Sequence, residues 1–412
     1  MQHIFRFKFT PTAVAALACA IATTACGGGS SNAKGQASLE VYAELQQAGI
    51  GGISQMPDGQ LIVGYHPFYQ TATSTQVALL NADRKSTTPY PAGLRQTCRN
   101  ADESFVAPVG GKYDFCLDWV LGFHTDANGI LWILDSAKST DKAGGAITRP
   151  AALRAKLVGW NTKTNVLHKI IDLDASTVTE SQHNDFAVDL AHNVIVIADE
   201  AIGENSDGAG LKAALVVVDL ATGTSRRLLQ GDVSVLPHAD PIRWEAQAGQ
   251  PAGSWGLRVG VDGIALDKNN DYLYYAPLSA YRMYRIRMAD LLNTALTPAQ
   301  LSAKVEDYAA KPYNGGLSID TSNNLYLTEV GGRSVGIIPA DTKTYRRYVT
   351  DDKMIWPDGV TYNTDGFMYS GAAQLIQTGV FQAKATPKGS ANNAPPYRIY
   401  RFRPEAVGTP GS

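Results

Sequence analysis

The sequence has no excess of positive charge: 36 Lys and Arg stand against 38 Asp and Glu, a formal charge of -2 over 412 residues. That balance gives nucleic acid nothing to bind. Long amphipathic helical patterns are scarce, which argues against a helical bundle. The apolar run "TAVAALACAIA" near the N-terminus is too short for a comfortable membrane span. No phosphate-binding glycine loop, no CxxC and no paired-histidine zinc motif occurs, so those chemistries lose their usual anchors. Against these absences stand 39 Gly and 19 Tyr, with many Asn, Asp and Thr. Tight turns between short aromatic-rich segments imply a mostly β chain.

The first residues read as a leader rather than as fold. "MQHIFRFKF" supplies Arg6 and Lys8 ahead of the apolar run, and "TTACGGGSS" follows it. Small residues before Cys26 and a Gly/Ser run after it resemble a bacterial lipoprotein signal, with Thr23 where Leu or Val is usual. The expected organisation is a signal peptide over 1–25, a flexible linker over 26–37, a folded domain over 38–404 and a disordered tail over 405–412. Cys26 would carry the lipid, placing the protein in the cell envelope or periplasm, anchored to a bacterial membrane, or secreted. Of four cysteines, Cys19 would leave with the leader. Cys98 and Cys116 remain, in a compartment that permits disulfides. A bridge between them would contribute about 3 kcal/mol in the chain-entropy model; two free buried thiols are the alternative.

One unit recurs along the rest. A strand, a polar turn and an apolar strand appear as "GISQMPDGQLIVGY" (from Gly52), "GFHTDANGILWILD" (Gly122), "DFAVDLAHNVIVIAD" (Asp185), "DGIALDKNNDYLYYA" (Asp262), "GGLSIDTSNNLYLTE" (Gly315) and "DGVTYNTDGFMYSG" (Asp358). A second hairpin follows several copies, as in "LVVVDLATGTSRRLL" from Leu215. Four antiparallel strands per unit, six times over, predict an all-β, six-bladed β-propeller in one domain. "LEVYAEL" (Leu39 to Leu45) is expected to complete the last blade beside "YRIYRF" (Tyr397 to Phe402), closing the ring and removing an exposed edge. Long stretches after blade one and in blade three are candidate lids or binding loops.

The first strand of each blade lines the channel, so the residue before it stands at the rim. In order, the rim reads Gly51 and Gly52, Gly122 and Phe123, Asn184 and Asp185, Val261 and Asp262, Asn314 and Gly315, Pro357 and Asp358. Three carboxylates at equivalent positions, with two amides, are expected to converge there. Like charges held close raise each other's pKa or attract a cation. Such a ring suits a hard metal ion, a protonated amine or a carboxylate base. Asp-Gly is also ordinary turn chemistry, in which the side chain caps free amides. His183 and His124 stand near enough in sequence to add an acid or base, and both also suit structural roles.

The stretch "VDGIALDKNNDYLYYAPLSAYRMYRI", with "DANGILWILDSA", "QHNDFAVDL", "GQLIVGYHPFY" and "LEVYAEL", resembles the major royal jelly protein/Yellow family. The resemblance implies an exported six-bladed propeller with a ligand pocket at the channel mouth. It covers dopachrome-converting proteins, binders of biogenic amines and nutritive proteins. It carries Asn184, Asp185 and Asp262 over as pocket residues and assigns no catalytic residue. Asn128 or Ala127 stands where the family has a cysteine, and His66-Pro67-Phe68 replaces a Pro-Arg pair. The related senescence-marker/gluconolactonase propellers hold a divalent metal with a first-blade Glu plus later Asn and Asp. Here the first-blade rim reads "AGIGGI", and Glu44 lies several residues earlier.

Three readings stay open. In the first, the mouth binds a small aromatic or amine metabolite and isomerises it in the manner of a dopachrome tautomerase, with Asp185 or Asp262 as base and His183 as acid. Asn184, Asn314, Asp358 and His124 then bind the ligand, and no cofactor is needed. In the second, Asn184, Asp262 and Asp358 hold Ca or Zn for a metal-dependent lactonase or esterase. The third is a non-catalytic binding module. In each the partner is a small molecule, no nucleic acid is involved, the membrane is met only through Cys26, and the chain is a monomer.

Overall fold

Apolar residues alternating across short strands, broken by Asn, Asp and Gly turns, fold into six four-stranded antiparallel sheets. The computed structural model describes residues 37–69, 74–138, 148–202, 210–246 and 251–411. Cys26, the leader and the linker through residue 36 lie outside the described residues, as does 203–209 of the acidic "GENSDGAG" loop. The innermost strands of blades one to six are Ile50–Gln55, Val120–Thr125, His183–Asp189, Val261–Leu266, Asn314–Ile319 and Pro357–Tyr362. Each leads outward through its sheet in sequence order. The sixth blade is the exception. Its outer strand is Leu39–Leu45, paired antiparallel with Tyr397–Phe402 from Leu39 opposite Phe402 to Leu45 opposite Tyr397. The two ends of the ring thus lie in one sheet, as the strand pattern predicts.

The blades bury their faces on one another. Tyr274, Tyr275, Tyr326, Tyr369 and Tyr400 are among the largest fully buried side chains; each lies in a second or third strand, packed between sheets. Three blades share a device at the end of the second strand. Asp135 meets Lys156 at 2.7 Å, Asp199 meets Arg227 and Glu329 meets Arg347. The carboxylates also order the chain that enters the blade. Asp135 accepts the amides of Asp118, Trp119 and Ala137, and Asp199 those of Gln182 and Ala201. Pairing and hydrogen bonds offset the desolvation cost of burying the Asp135 and Asp199 charges.

Because strands alternate in direction, the chain enters every innermost strand on one face. Most long connections emerge there, whereas the opposite face carries tight turns such as Asp126–Gly129 and one longer connection, residues 288–305 of blade four, with two short helices. Two additions build up the entry face. Cys98 and Cys116 form a disulfide inside a small core with Val106, Tyr113, Ala137 and Leu153. A two-stranded hairpin, Ile242–Trp244 with Gly253–Trp255, packs Trp244 and Trp255 against Phe381 and Trp356. Phe68 from blade one joins the same aromatic layer.

Candidate functional site

All six innermost strands break register at the same place. The first pairs are Ile50 with Tyr65, Val120 with Asp135, His183 with Asp199, Val261 with Pro277, Asn314 with Glu329 and Pro357 with Ala372. A bulge follows each, two residues on the inner strand opposite one on its partner. The bulge pairs are Gly51-Gly52, Leu121-Gly122, Asn184-Asp185, Asp262-Gly263, Gly315-Gly316 and Asp358-Gly359. This corrects the alignment expected from sequence by one residue in four blades. Asp262 and Asp358 are equivalent to Asn184. Asp185 stands one place further on, where the other five blades have glycine.

The offset decides which candidates reach the mouth. A cavity there is lined by Asn184, Asp185, Asp262, Asp358 and His124, among others. His183 and Asn314 do not line it. Both occupy the position before the bulge, which pairs into the sheet, and both are fully buried. His183 lies 3.9 Å from Asp199, its ring nitrogens lack hydrogen-bond partners among the described residues, and burial holds its pKa below the ordinary value. It cannot serve as the acid of the mouth. The Asn314 amide donates to the carbonyls of Gly315 and Gly316 and is occupied with backbone.

Five glycines let the blades close. A Cβ on Gly122 would lie 2.3 Å from the Asn184 carbonyl oxygen, and Cβ atoms on Gly263 and Gly316 would lie 2.6 Å from the carbonyls of Gly315 and Asp358. Real Cβ atoms do not approach so closely, so only glycine allows neighbouring inner strands to meet here.

The acids sit in a shared, poorly hydrated environment. Asn184 Nδ2 donates to Asp262 Oδ1 at 2.7 Å and to Glu200 Oε1 at 2.8 Å. Asp262 and Glu200 are each 3% exposed, too little for water to stabilise two charges. Burial pushes the Glu200 carboxyl up to about 8, its bonds to Gln182 and Asn184 pull the other way, and Asp358 adds to the rise. Burial likewise raises Asp262 well above the usual carboxylate range, reinforced by Glu200 and Asp185. Asp358 is raised by burial and then by Asp262 and Asp185. Glu200 and Asp262 both accept from the one Asn184 amide, and two like charges held so close disfavour the doubly ionised state.

Glu200 and Lys311 do not line the cavity but act on the residues that do, and the sequence does not mark them. Glu200 follows the structural Asp199 at the end of a second strand, and nothing in "VIVIADE" separates the two acids. Lys311 lies in the connection between blades four and five. Its ammonium donates to the carbonyls of Pro277, Ala280 and Pro312 at 2.8, 2.7 and 3.2 Å. Burial lowers it to about 7, and the attraction of Asp262 opposes that shift.

Size limits what enters. The cavity leaves about 30 Å³ for the centres of water-sized atoms, room for roughly two waters.

The donor set also bears on a metal ion. The first-blade position is Gly51, so no carboxylate comes from that side. Asn184 turns its NH₂ end toward both acids. Among the described residues no group of three or more His, Cys, Asp or Glu is arranged to hold a metal ion. Asn184, Asp262 and Asp358 therefore do not fit as ligands for Ca or Zn in this arrangement.

The sequence matches the major royal jelly protein family over residues 120–374, more than half of the chain. The chain belongs to that family. The match spans the innermost strands of blades two to six, so the bulge residues from Leu121 to Gly359 lie within the part common to royal jelly proteins. No curated protein matches the sequence. Among solved structures, a luciferin-regenerating enzyme is similar at 13% identity, covering 91% of this chain and 98% of that one, with a TM-score of 0.54. A gluconolactonase from Xanthomonas campestris is similar at 11% identity, covering 90% and 91%, with a TM-score of 0.52. At such identities the likeness is one of fold.

Proposed function

We propose that this royal jelly family propeller is exported, anchored through Cys26, and takes the polar end of a small amine-bearing or aromatic metabolite at its channel mouth, isomerising it by proton transfer as a dopachrome tautomerase does. One observation carries the reading: Asn184 donates to two buried carboxyl groups, Glu200 and Asp262, both pushed above the ordinary carboxylate range by burial. A general acid works best when its pKa lies near the working pH. The same pair, once ionised, offers a desolvated double negative charge to a protonated amine. Asp262 keeps the place expected of it as an acid–base residue, Glu200 joins it, and Asp358 and Asn184 line the space that the ligand's head occupies. The limited volume supports a ligand whose ring stays outside, toward the aromatic layer of the entry face.

The test is turnover of dopachrome by the purified protein and by Asp262→Asn, with melting curves in the presence of a panel of amines. Turnover lost in the variant, with amine-dependent stabilisation of the wild type, is the expected result. Unchanged turnover in Asp262→Asn removes the assignment. An equivalent of tightly held Ca or Zn in the purified protein, with hydrolysis of lactones, would overturn the reading in favour of a metal-dependent lactonase.

A further inference from the structure

A ligand whose ring stays outside the cavity meets the apolar layer of the entry face, and that layer is closed. Trp244, Trp255, Trp356 and Phe381 are all buried. Leu278, Val330 and Ala373 belong to the same cluster. They directly follow the second strands of blades four, five and six, the place that Glu200 holds in blade three. The layer therefore rests immediately above the level of the acids. Phe68 from blade one and Ile202 from blade three pack against it, so it spans the entry face from blade three round to blade one. A ring reaches this apolar surface only when part of the layer moves.

One part is attached unlike the rest. The strands Ile242–Trp244 and Gly253–Trp255 pair only with each other and extend no blade. Their hairpin arises between blades three and four but is seated on blades five and six. A Cβ on Gly331 would lie 2.0 Å from the Arg243 carbonyl oxygen, so the hairpin rests directly on that glycine. The Glu245 amide donates to the Gly331 carbonyl at 3.0 Å, and the Glu245 carboxylate pairs with Arg333 and Arg347. On the other strand, Ser254 and Thr386 exchange amide-to-carbonyl bonds at 3.1 and 2.8 Å. These ties are few, and the Glu245 side chain is largely exposed, so water replaces its pairing at small cost. Lifting a blade strand would break a whole ladder; lifting the hairpin breaks only these bonds and uncovers the two tryptophans.

We infer that this hairpin is the gate of the mouth: it lifts from Gly331 and Thr386 to admit the ligand, whose ring then covers the apolar surface that Trp244 and Trp255 leave. This rests on the reading above that the mouth takes an aromatic or amine-bearing metabolite. Gly331 is the seat of the gate, and Glu245 with its two arginines is the latch. Apolar area exposed by lifting is covered again by the ligand's ring, so the open form gains more from an aromatic amine than from a simple alkylamine.

Tyramine association, followed by tryptophan emission after rapid mixing, tests the gate in two variants that push it in opposite directions. Ser254 and Thr386 form a hydrogen-bonded antiparallel pair, a spacing of about 5.5 Å between Cα atoms that a disulfide spans. Ser254→Cys with Thr386→Cys, once oxidised, should slow association about tenfold or more, because binding then lacks the conformational step it needs. Reduction should restore the rate, with wild type taken through the same treatment as the control for Cys98 and Cys116. Gly331→Ala drives a methyl group into the Arg243 carbonyl. It should speed association about threefold or more and make tryptophan emission easier to quench with acrylamide. A locked protein, its new bridge confirmed by mass, that binds as fast as wild type sinks this inference and leaves the ligand reading standing. If the bridge does not form, Gly331→Ala decides: binding no faster, or tryptophans no more open to acrylamide, sinks it as well. A wild type to which no amine binds sinks both.

Discussion

Asn184 donates to two carboxyl groups at once, and the consequence is a pH dependence whose sign can be worked out. Glu200 is raised from 4.5 to about 8, so the folded protein holds a proton there that the unfolded chain releases. The stability this contributes is fully present below pH 4.5 and is lost as pH rises through about 8. Lys311, lowered from 10.5 to about 7, has the opposite sign: its contribution is present above 10.5 and is lost as pH falls through about 7. His66 and His183, both depressed by burial, also oppose Glu200 below their ordinary value of 6.5. Comparing wild type with Glu200→Gln cancels the last three. The melting temperature of the wild type relative to Glu200→Gln should therefore fall steadily between pH 5 and 8 and level off above it. A constant difference across that range would mean that Glu200 ionises normally.

At the scale of the strand, the repeated bulge is what gathers these residues. Each inner strand carries an unpaired residue at the mouth, and glycine follows it in five blades so that neighbouring strands can meet. Gly122→Ala would drive a methyl group into the Asn184 carbonyl, and overpacking of this kind costs about 1–3 kcal/mol. It should also displace Asn184 and so weaken amine binding. Gly256→Ala, where a Cβ meets nothing within 4 Å, should leave both stability and binding near wild type; equal effects from the two would show that the glycines are not there for contact. The repeat and its strands were legible in the sequence because a period of two and turn residues mark them directly. The bulge was not. An extra residue leaves no trace in an apolar run, yet a shift of one place exchanges the faces of a strand. Hence Asp262, Asp358 and Asn184 were placed at the mouth, Asn314 was set there one residue too early, and His183 was added only as the sequence neighbour of Asn184. Glu200 and Lys311 could not be found, because only the packing of separate blades brings them to Asp262.

Over the whole molecule the ring separates two jobs. Mostly tight turns hold one face, and the other carries most of the insertions, including the disulfide-bearing lobe between blades one and two. Cys98 and Cys116 are both fully buried and lie 18 residues apart in sequence, so the bridge closes a short loop. In the chain-entropy model a loop of that size contributes about 3 kcal/mol by restricting the unfolded chain. The lobe leads directly into the inner strand of blade two, which carries Gly122 and His124. That strand does not depend on the bridge for its position. The Asp118 and Trp119 amides bind Asp135, which Lys156 holds in turn, and the Val120 amide binds the Gln76 side chain. Replacing both cysteines with alanine should thus lower the melting temperature clearly while tyramine binding at the mouth, measured well below the transition, stays as in wild type. Loss of binding together with stability would mean that the lobe sets the geometry of blade two. An unchanged melting temperature would mean that the unfolded chain gains no freedom when the bridge is removed.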